Sequence, residues 1–210
     1  MIARAHPIQF SVAATPAELD AVFRLRHEIV TEHGWLPPDD LREPTESDEY
    51  DEQALQIAAW DGDTLAGTLR LIPPRHDRPL PVEAAYGLVV EPRGEVIGAG
   101  RVIVARPYRD GEHRVLGGLS ATAWLLMRKL GFRWAAGTAT SEILDLFEHL
   151  GFEVTVLGEP QAYWGEERYP IRMGAADPSR WASGSTGIDR ESRLEVSVDG
   201  EPSTDIGRGL

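Results

Sequence analysis

The residues able to do chemistry in this chain are carboxylates and guanidinium groups, and they are unevenly placed. Between Glu32 and Glu52 stand nine carboxylates and one arginine, whereas between Arg101 and Arg133 stand seven cations and two carboxylates. An acidic stretch of that kind suits a cationic amine, and a basic one suits a polyanionic carrier such as a phosphopantetheine thioester, because a field of one sign concentrates partners of the other. Together they point to acyl transfer to nitrogen. Amine attack on a thioester needs close approach, a donor for the carbonyl oxygen and a route for one proton, and the thiolate leaves tolerably unaided.

The elements that must position these groups can be read from capping signals and periodicity. Thr15-Pro16, followed by Glu18, opens a helix to about His33, with Leu19, Val22, Phe23, Leu25 and Ile29 as most of its buried stripe. From Gly34 to Tyr50, prolines and acids replace the pattern, which reads as a long ordered loop able to bind. Leu55 to Trp60 and Leu65 to Ile72 flank Asp61-Gly62-Asp63, a hairpin signal in which Asp-Gly supplies positive backbone angles. Pro73 to Gly94 reads as loop with a short helix near Val82 to Tyr86. Arg101 to Ala105 is a β-branched strand, and a periodic helix runs from about Val115 to Leu130, stopped by Gly131.

Phe132 to Thr140 reads as the next strand. Ser141 caps a helix carrying Ile143, Leu144, Phe147 and Leu150, and Gly151 closes it before a strand from Phe152 to Leu157. Tyr163 to Met173 adds a last strand. The order implies a mixed α/β (α+β) sheet flanked by helices, in one domain over 1–173. Residues 174–210 carry few large apolar side chains and read as a flexible extension. Leu194 to Val198 alternates, so it would otherwise dock as a short strand on the body or on a second copy, making a homodimer.

Composition narrows the partners. The 210 residues carry a net charge of −13 and no cysteine. That charge argues against nucleic acid and against an anionic membrane, both of which need a dominant cationic surface. Without thiols there is no disulfide framework, thiolate nucleophile or thiolate metal site. No run of about 20 apolar residues occurs and the N-terminus has no signal-like core, so a cytoplasmic protein is expected. His27 and His33 fall on different faces of their helix and no carboxylate spacing completes a metal site, so no metal is expected. Ser120 lies outside a Gly-x-Ser-x-Gly elbow and reads as a helix hydroxyl.

A set of residues resembles a known family. Arg26, Trp35, Glu46-x-Asp48-x-x-Asp51, Arg70 in Leu69-Arg70-Leu71-Ile72-Pro73, and Arg101 are similar to the signature of the acyl-homoserine-lactone (autoinducer) synthases. These belong to the GNAT acyltransferase superfamily and are similar to the N-acyl amino acid synthases. The resemblance covers roughly Phe23 to Met173. Arg106-Pro107-Tyr108-Arg109 and Leu146 to Phe152 look like general GNAT sequence.

The resemblance implies a GNAT-like sheet whose central strands splay apart, with pantetheine entering the gap and pairing with the strand edge at Val102 and Val104. The donor would be acyl-coenzyme A or an acyl carrier protein. Pyrophosphate would meet the start of the next helix near Arg109, Arg114, Gly117 and Gly118, where free N–H groups and the helix dipole favour an anion. That loop fits the Arg-x-x-Gly-x-Gly/Ala pattern only in part, since its last small residue is Leu119. An acidic carrier would dock on Arg106, Arg109, Arg114 and Arg128.

The acceptor side would use Asp48 first, then Glu46 or Asp51, as proton acceptor, with general-base help worth about 10²–10⁴-fold. Arg70 and Arg101 would hold these carboxylates. Arg26 and Trp35 would order the loop over the amine, Val30, where the family has phenylalanine, would alter the acceptor pocket, and Trp124 would line the acyl chamber. Two departures stand out. The family glutamate three residues before Arg101 is Gly98 here, and the tyrosine of many GNAT enzymes is Phe147. Glu95 cannot replace the first, being six residues away, or roughly 20 Å of extended chain. The expected function is an autoinducer-synthase-like N-acyltransferase. The alternatives are an N-acyl amino acid synthase or a tailoring acyltransferase of secondary metabolism, and a non-catalytic acyl-thioester-binding regulator.

Overall fold

The structure is a computed structural model that describes residues 8–36, 43–109 and 113–174. Its first helix, α1 (Pro16–His33), forms where the capping signals place it: the Thr15 hydroxyl accepts from the Glu18 N–H, and the Glu18 carboxylate accepts from the Thr15 and Ala14 N–H groups. Gly34, at φ 64°, ends it in the left-handed conformation that glycine adopts without cost. Its buried face holds Val22, Leu25, Ile29 and Val30, and in their midst Arg26.

The strands are β1 (Gln9–Val12), β2 (Leu55–Asp61), β3 (Thr64–Ile72), β4 (Val96–Val104), β5 (Trp134–Ala139), β6 (Glu153–Val156), β7 (Gln161–Tyr163) and β8 (Glu166–Gly174). The remaining helices are α2 (Pro81–Tyr86), α3 (Arg114–Lys129) and α4 (Ser141–His149), with a short 3-10 turn at Arg106–Tyr108. The sheet runs β1-β2-β3-β4-β5-β8-β6, with β7 hairpinned onto β8. Every pairing is antiparallel except that of β4 with β5, whose crossover is α3.

Alternation along β2 shows how the layers assemble. Ile57 and Ala59 pack with Val115, Leu119, Ala123 and Met127 of α3, whereas Ala58, between them, packs with Val22 of α1. The two helices therefore cover opposite faces. The architecture is a mixed α/β sheet flanked by helices, as the order of elements implies.

Several details differ from the sequence reading. β1 carries no signal strong enough to stand out in four residues. β4 begins at Val96 rather than Arg101, because Gly98 and Gly100 make its first half look like loop. The hairpin turn centres on Gly62-Asp63, with positive φ at Gly62 alone among the pair. Thr140, not Ser141, is the N-cap of α4, and Ser141 is already helical. The expected last strand is two, β7 and β8, separated by Trp164-Gly165. β8 runs to Gly174, which pairs with Trp134 and Glu153. Residues 175–210, including the expected extension and the segment Leu194 to Val198, lie outside the described residues. Among the described residues, no helix is long and apolar enough to cross a membrane.

Candidate active site

The parallel ladder between β4 and β5 is three pairs long, from Val96 with Trp134 to Gly98 with Ala136. Beyond it the strands part, and Ala99 to Val104 of β4 face β5 across a cavity of about 890 Å³. Part of its wall is apolar, from Trp124, Met127, Phe147, Phe152, Ile171 and Met173. Phe152 meets Trp124 and Phe147 edge to face at 6.1 and 5.7 Å between centroids. Another part is polar, with Arg70, Arg101, Trp35, Trp164, Glu166 and Arg168. Val30, fully buried, stands in the wall, as does Ser120.

Behind Arg70 and Arg101 lies a network of three arginines and three carboxylates. Arg26 donates through Nε to Glu46 (2.5 Å) and through both Nη atoms to Asp51 (2.8 and 3.0 Å). Arg70 donates through Nη1 to Asp48 (2.6 Å) and Asp51 (2.9 Å). Arg101 donates through Nη2 to Glu46 (3.0 Å) and Asp48 (2.9 Å). Arg26 is 0% exposed and Arg70 1%, so each needs the carboxylates that face it, although Arg70 is met only through Nη1 and its buried Nε has no hydrogen-bond partner among the described residues. Gln56, also buried, donates to Asp51 at 2.8 Å.

These surroundings set the ionisation of the acids. Burial alone would push the Asp51 carboxyl up, but the hydrogen bonds and charges of Arg26 and Arg70 outweigh it and hold the group well below the usual carboxylate range. Glu46 is likewise lowered, burial being outweighed by Arg26 and Arg101. Both acids are committed to the anionic state. Asp48 is the most accessible of the three, its side chain 24% exposed.

The network depends on an irregularity in β4. Thr68 pairs with Ile103 and Arg70 with Gly100, so Arg101 and Val102 together oppose Leu69 in a bulge. Arg101 has φ 51°, an uncommon backbone for a long side chain. Its guanidinium carbon lies 3.7 Å from the centroid of Trp164, which itself has φ 56°.

The residues expected at the donor end are placed differently from one another. Val102 is exposed and, with Val104, lies on the parted stretch of β4. Arg109 donates through Nε to the Val104 carbonyl at 2.9 Å, and both it and Arg106 pair with Glu32. Glu32, Glu46 and Asp48 of the acidic stretch thus meet Arg101, Arg106 and Arg109 of the basic one as ion pairs. Arg114 opens α3. Gly117 has open space where a Cβ would stand, but a Cβ on Gly118 would lie 2.0 Å from the Phe10 ring, so this glycine admits β1 rather than a phosphate. A Cβ on Gly98 would lie 3.2 Å from Ile72 Cβ and Leu80 Cδ2, in the apolar cluster that includes Val82 and Val90. Apolar packing fills the direction in which the family glutamate would leave the strand. Glu95 pairs with Arg133 at 3.7 Å, and Phe147 is buried on Ala139 and Ile171.

Sequence reasoning missed the turn residue Trp164, and Glu166, which accepts from Trp35 Nε1 at 2.9 Å and from Arg168 at 2.6 Å. The only sequence signal for them was an aromatic-Gly-acid run between two strands. Among the described residues, no group of three or more His, Cys, Asp or Glu is placed to hold a metal.

This fold is matched by known proteins. A family model described as an acetyltransferase (GNAT) domain matches residues 25–116. The chain has a GNAT fold. A comparison with the curated proteins finds no match. Among solved structures, this GNAT fold is similar to MesI, described as a CoA-dependent acyl-homoserine lactone synthase, at 20% identity and TM-score 0.68, over 92% of this chain and 100% of that one. It is similar to another CoA-dependent synthase, BjaI, solved with S-adenosylmethionine and isopentyl-CoA, at 23% identity and TM-score 0.66, over 84% and 87% of the chains. FeeM, an N-acyl amino acid synthase from uncultured soil microbes, aligns at 16% identity and TM-score 0.58, over 84% and 94%. At these identities the likeness is one of fold.

Proposed function

We propose that this GNAT-fold chain is an autoinducer-synthase-like N-acyltransferase, moving an acyl group from a pantetheine thioester to an amine. The observation that carries the reading is one cavity joining an apolar chamber, a stretch of β4 whose edge toward β5 is unpaired and the face of the Arg70–Arg101 network. A thioester has the same three parts: an acyl chain to bury, amides to pair and a carbonyl to meet the nucleophile. Acyl-coenzyme A is the favoured donor, supported by the descriptions of BjaI and MesI, and an acyl carrier protein is the alternative.

In this reading the pantetheine amides pair with β4 between Ala99 and Val104, and the acyl chain enters the chamber beside Trp124. The amine nitrogen attacks the carbonyl carbon, the C–N bond forms and the C–S bond breaks. The acceptor nitrogen, an ammonium at neutral pH, first gives one proton to solvent; on attack a second proton passes to Asp48, directly or through water, and the thiolate is protonated by solvent. Arg70 and Arg101 hold Asp48 in place, while Arg26 fixes Glu46 and Asp51 beneath them. Holding the partners in one geometry is the main source of rate for such a step.

Thiol release from acyl-coenzyme A, followed with a panel of amines, tests the reading. Acyl-homoserine lactone made from S-adenosylmethionine would specify the autoinducer branch, and a ring-free amide the N-acyl amino acid branch. Tight thioester binding without release would support a non-catalytic regulator, the reading favoured by the apolar filling at Gly98 and the missing hydroxyl at Phe147.

A further inference from the structure

The network acids leave a gap in the acyl-transfer reading. An aliphatic amine arrives at neutral pH as an ammonium ion, and Glu46, Asp48 and Asp51 are all occupied by arginines. Among the described residues, the carboxylates in the cavity wall are Glu142, Glu166 and Glu167. Glu142 is exposed on the first turn of α4, where hydrogen bonds to its own backbone N–H and to the Thr140 and Ser141 side chains lower its pKa. Glu167 is exposed on β8.

Glu166 differs in being fixed. Its Oε1 accepts from Trp35 and its Oε2 from Arg168, leaving each oxygen a further lone pair. It directly follows the β7–β8 turn, whose backbone is held in an unusual state. Trp164 and Gly165 both have positive φ, at 56° and 69°, and a bulky residue adopts that conformation only when its surroundings impose it. The surroundings are the site itself: Trp164 lies over Arg101, and a Cβ on Gly165 would come within 3.2 Å of Trp35 Cα. The turn is thus docked between the bulge of β4 and the end of α1.

We propose that Glu166 is the specificity-determining residue that receives the cationic nitrogen of the acceptor, with the Trp164 turn, stacked on Arg101, fixing it in the wall of the same cavity. This rests on the acyl-transfer reading. It assigns to the β7–β8 hairpin an acceptor class, primary ammonium compounds, that the arginine-paired Glu46, Asp48 and Asp51 do not select.

The test compares acceptors whose nitrogen is protonated at neutral pH with one whose nitrogen is not. Wild type and Glu166→Gln are assayed for acyl-coenzyme A thiol release with a pool of S-adenosylmethionine and L-amino acids, and separately with hydroxylamine, which is uncharged at neutral pH. Glutamine keeps an oxygen for Trp35 and loses the charge. The ratio of kcat/KM for the cationic pool over hydroxylamine falls about tenfold or more, the scale of one charge-assisted hydrogen bond. A ratio does not depend on the fraction of molecules folded. Arg168→Gln, which frees the Glu166 charge, shifts the same ratio upward. An unchanged ratio in both variants overturns the role of Glu166 and leaves acyl transfer standing, as does a wild type that acylates hydroxylamine and no member of the pool. A wild type inactive with every nucleophile overturns the acyl-transfer reading, and this role with it.

Discussion

Gly137 stands so close to Ala99 that a Cβ on it would lie 2.4 Å from the Ala99 carbonyl oxygen. This contact is one residue past the last β4–β5 pair and marks where the two strands part. Gly137→Ala is therefore expected to destabilise the chain by about 1–3 kcal/mol, the scale of overpacking, because its methyl would meet a backbone carbonyl. Urea unfolding of the variant checks it; an unchanged midpoint would mean that the strands are free to spread there.

The buried arginine of α1 gives a sharper stability prediction. Arg26→Ala leaves Glu46 and Asp51 each without a buried partner, and removing one member of such a set costs about 3–5 kcal/mol. Arg26→Lys recovers only part of that, because an ammonium cannot reproduce the fork that meets Asp51 through two nitrogens. Denaturant midpoints of both variants measure the difference.

Acid should act on the same network. Glu46 and Asp51 have folded-state pKa values lowered below their unfolded ones. Their contribution is thus complete above the unfolded values, near pH 4, and is lost as pH falls from there through the folded values. Unfolding free energy followed from pH 6 downward should hold until about pH 4 and then drop. The slope below pH 4 should be shallower in Asp51→Asn.

How much of this was legible beforehand depends on the range of the interaction. The Thr15-Pro16-Glu18 start and the Gly34 end of α1 are local chemistry, and so is the hairpin around Gly62. The Arg26, Arg70 and Arg101 set could be assembled only by resemblance, because its pairs are 19 to 55 residues apart. The first half of β4 was hidden because Gly98 and Gly100 weaken strand propensity. Gly98 is instead crowded by Ile72 and Leu80, and Gly118 is required by Phe10, neighbours that no local pattern announces. Trp164 was illegible for a related reason: a tryptophan is a poor turn residue, and only Arg101 and the nearby Trp35 explain why one sits there.

The apolar chamber should set acyl preference. Trp124 lines it and meets Phe152 edge to face, so Trp124→Ala removes a large ring from the wall. With a ladder of acyl-coenzyme A thioesters, the variant's preferred chain should be longer or bulkier than that of the wild type. Thiol-release rates across the ladder measure the shift.

Asp48 is assigned the proton, so Asp48→Asn should lower kcat about 10²–10⁴-fold. Its effect on the KM for the thioester should be small. Unchanged turnover would remove Asp48 from the mechanism.

The most direct measurement is intact-product mass spectrometry after the full chain is incubated with mixed acyl-coenzyme A thioesters, S-adenosylmethionine and cell extract. The account predicts free coenzyme A and a new N-acylated product in equal amounts, with acyl-homoserine lactone when S-adenosylmethionine is the acceptor. Thioesters recovered intact with every amine and donor, acyl carrier protein included, would contradict it.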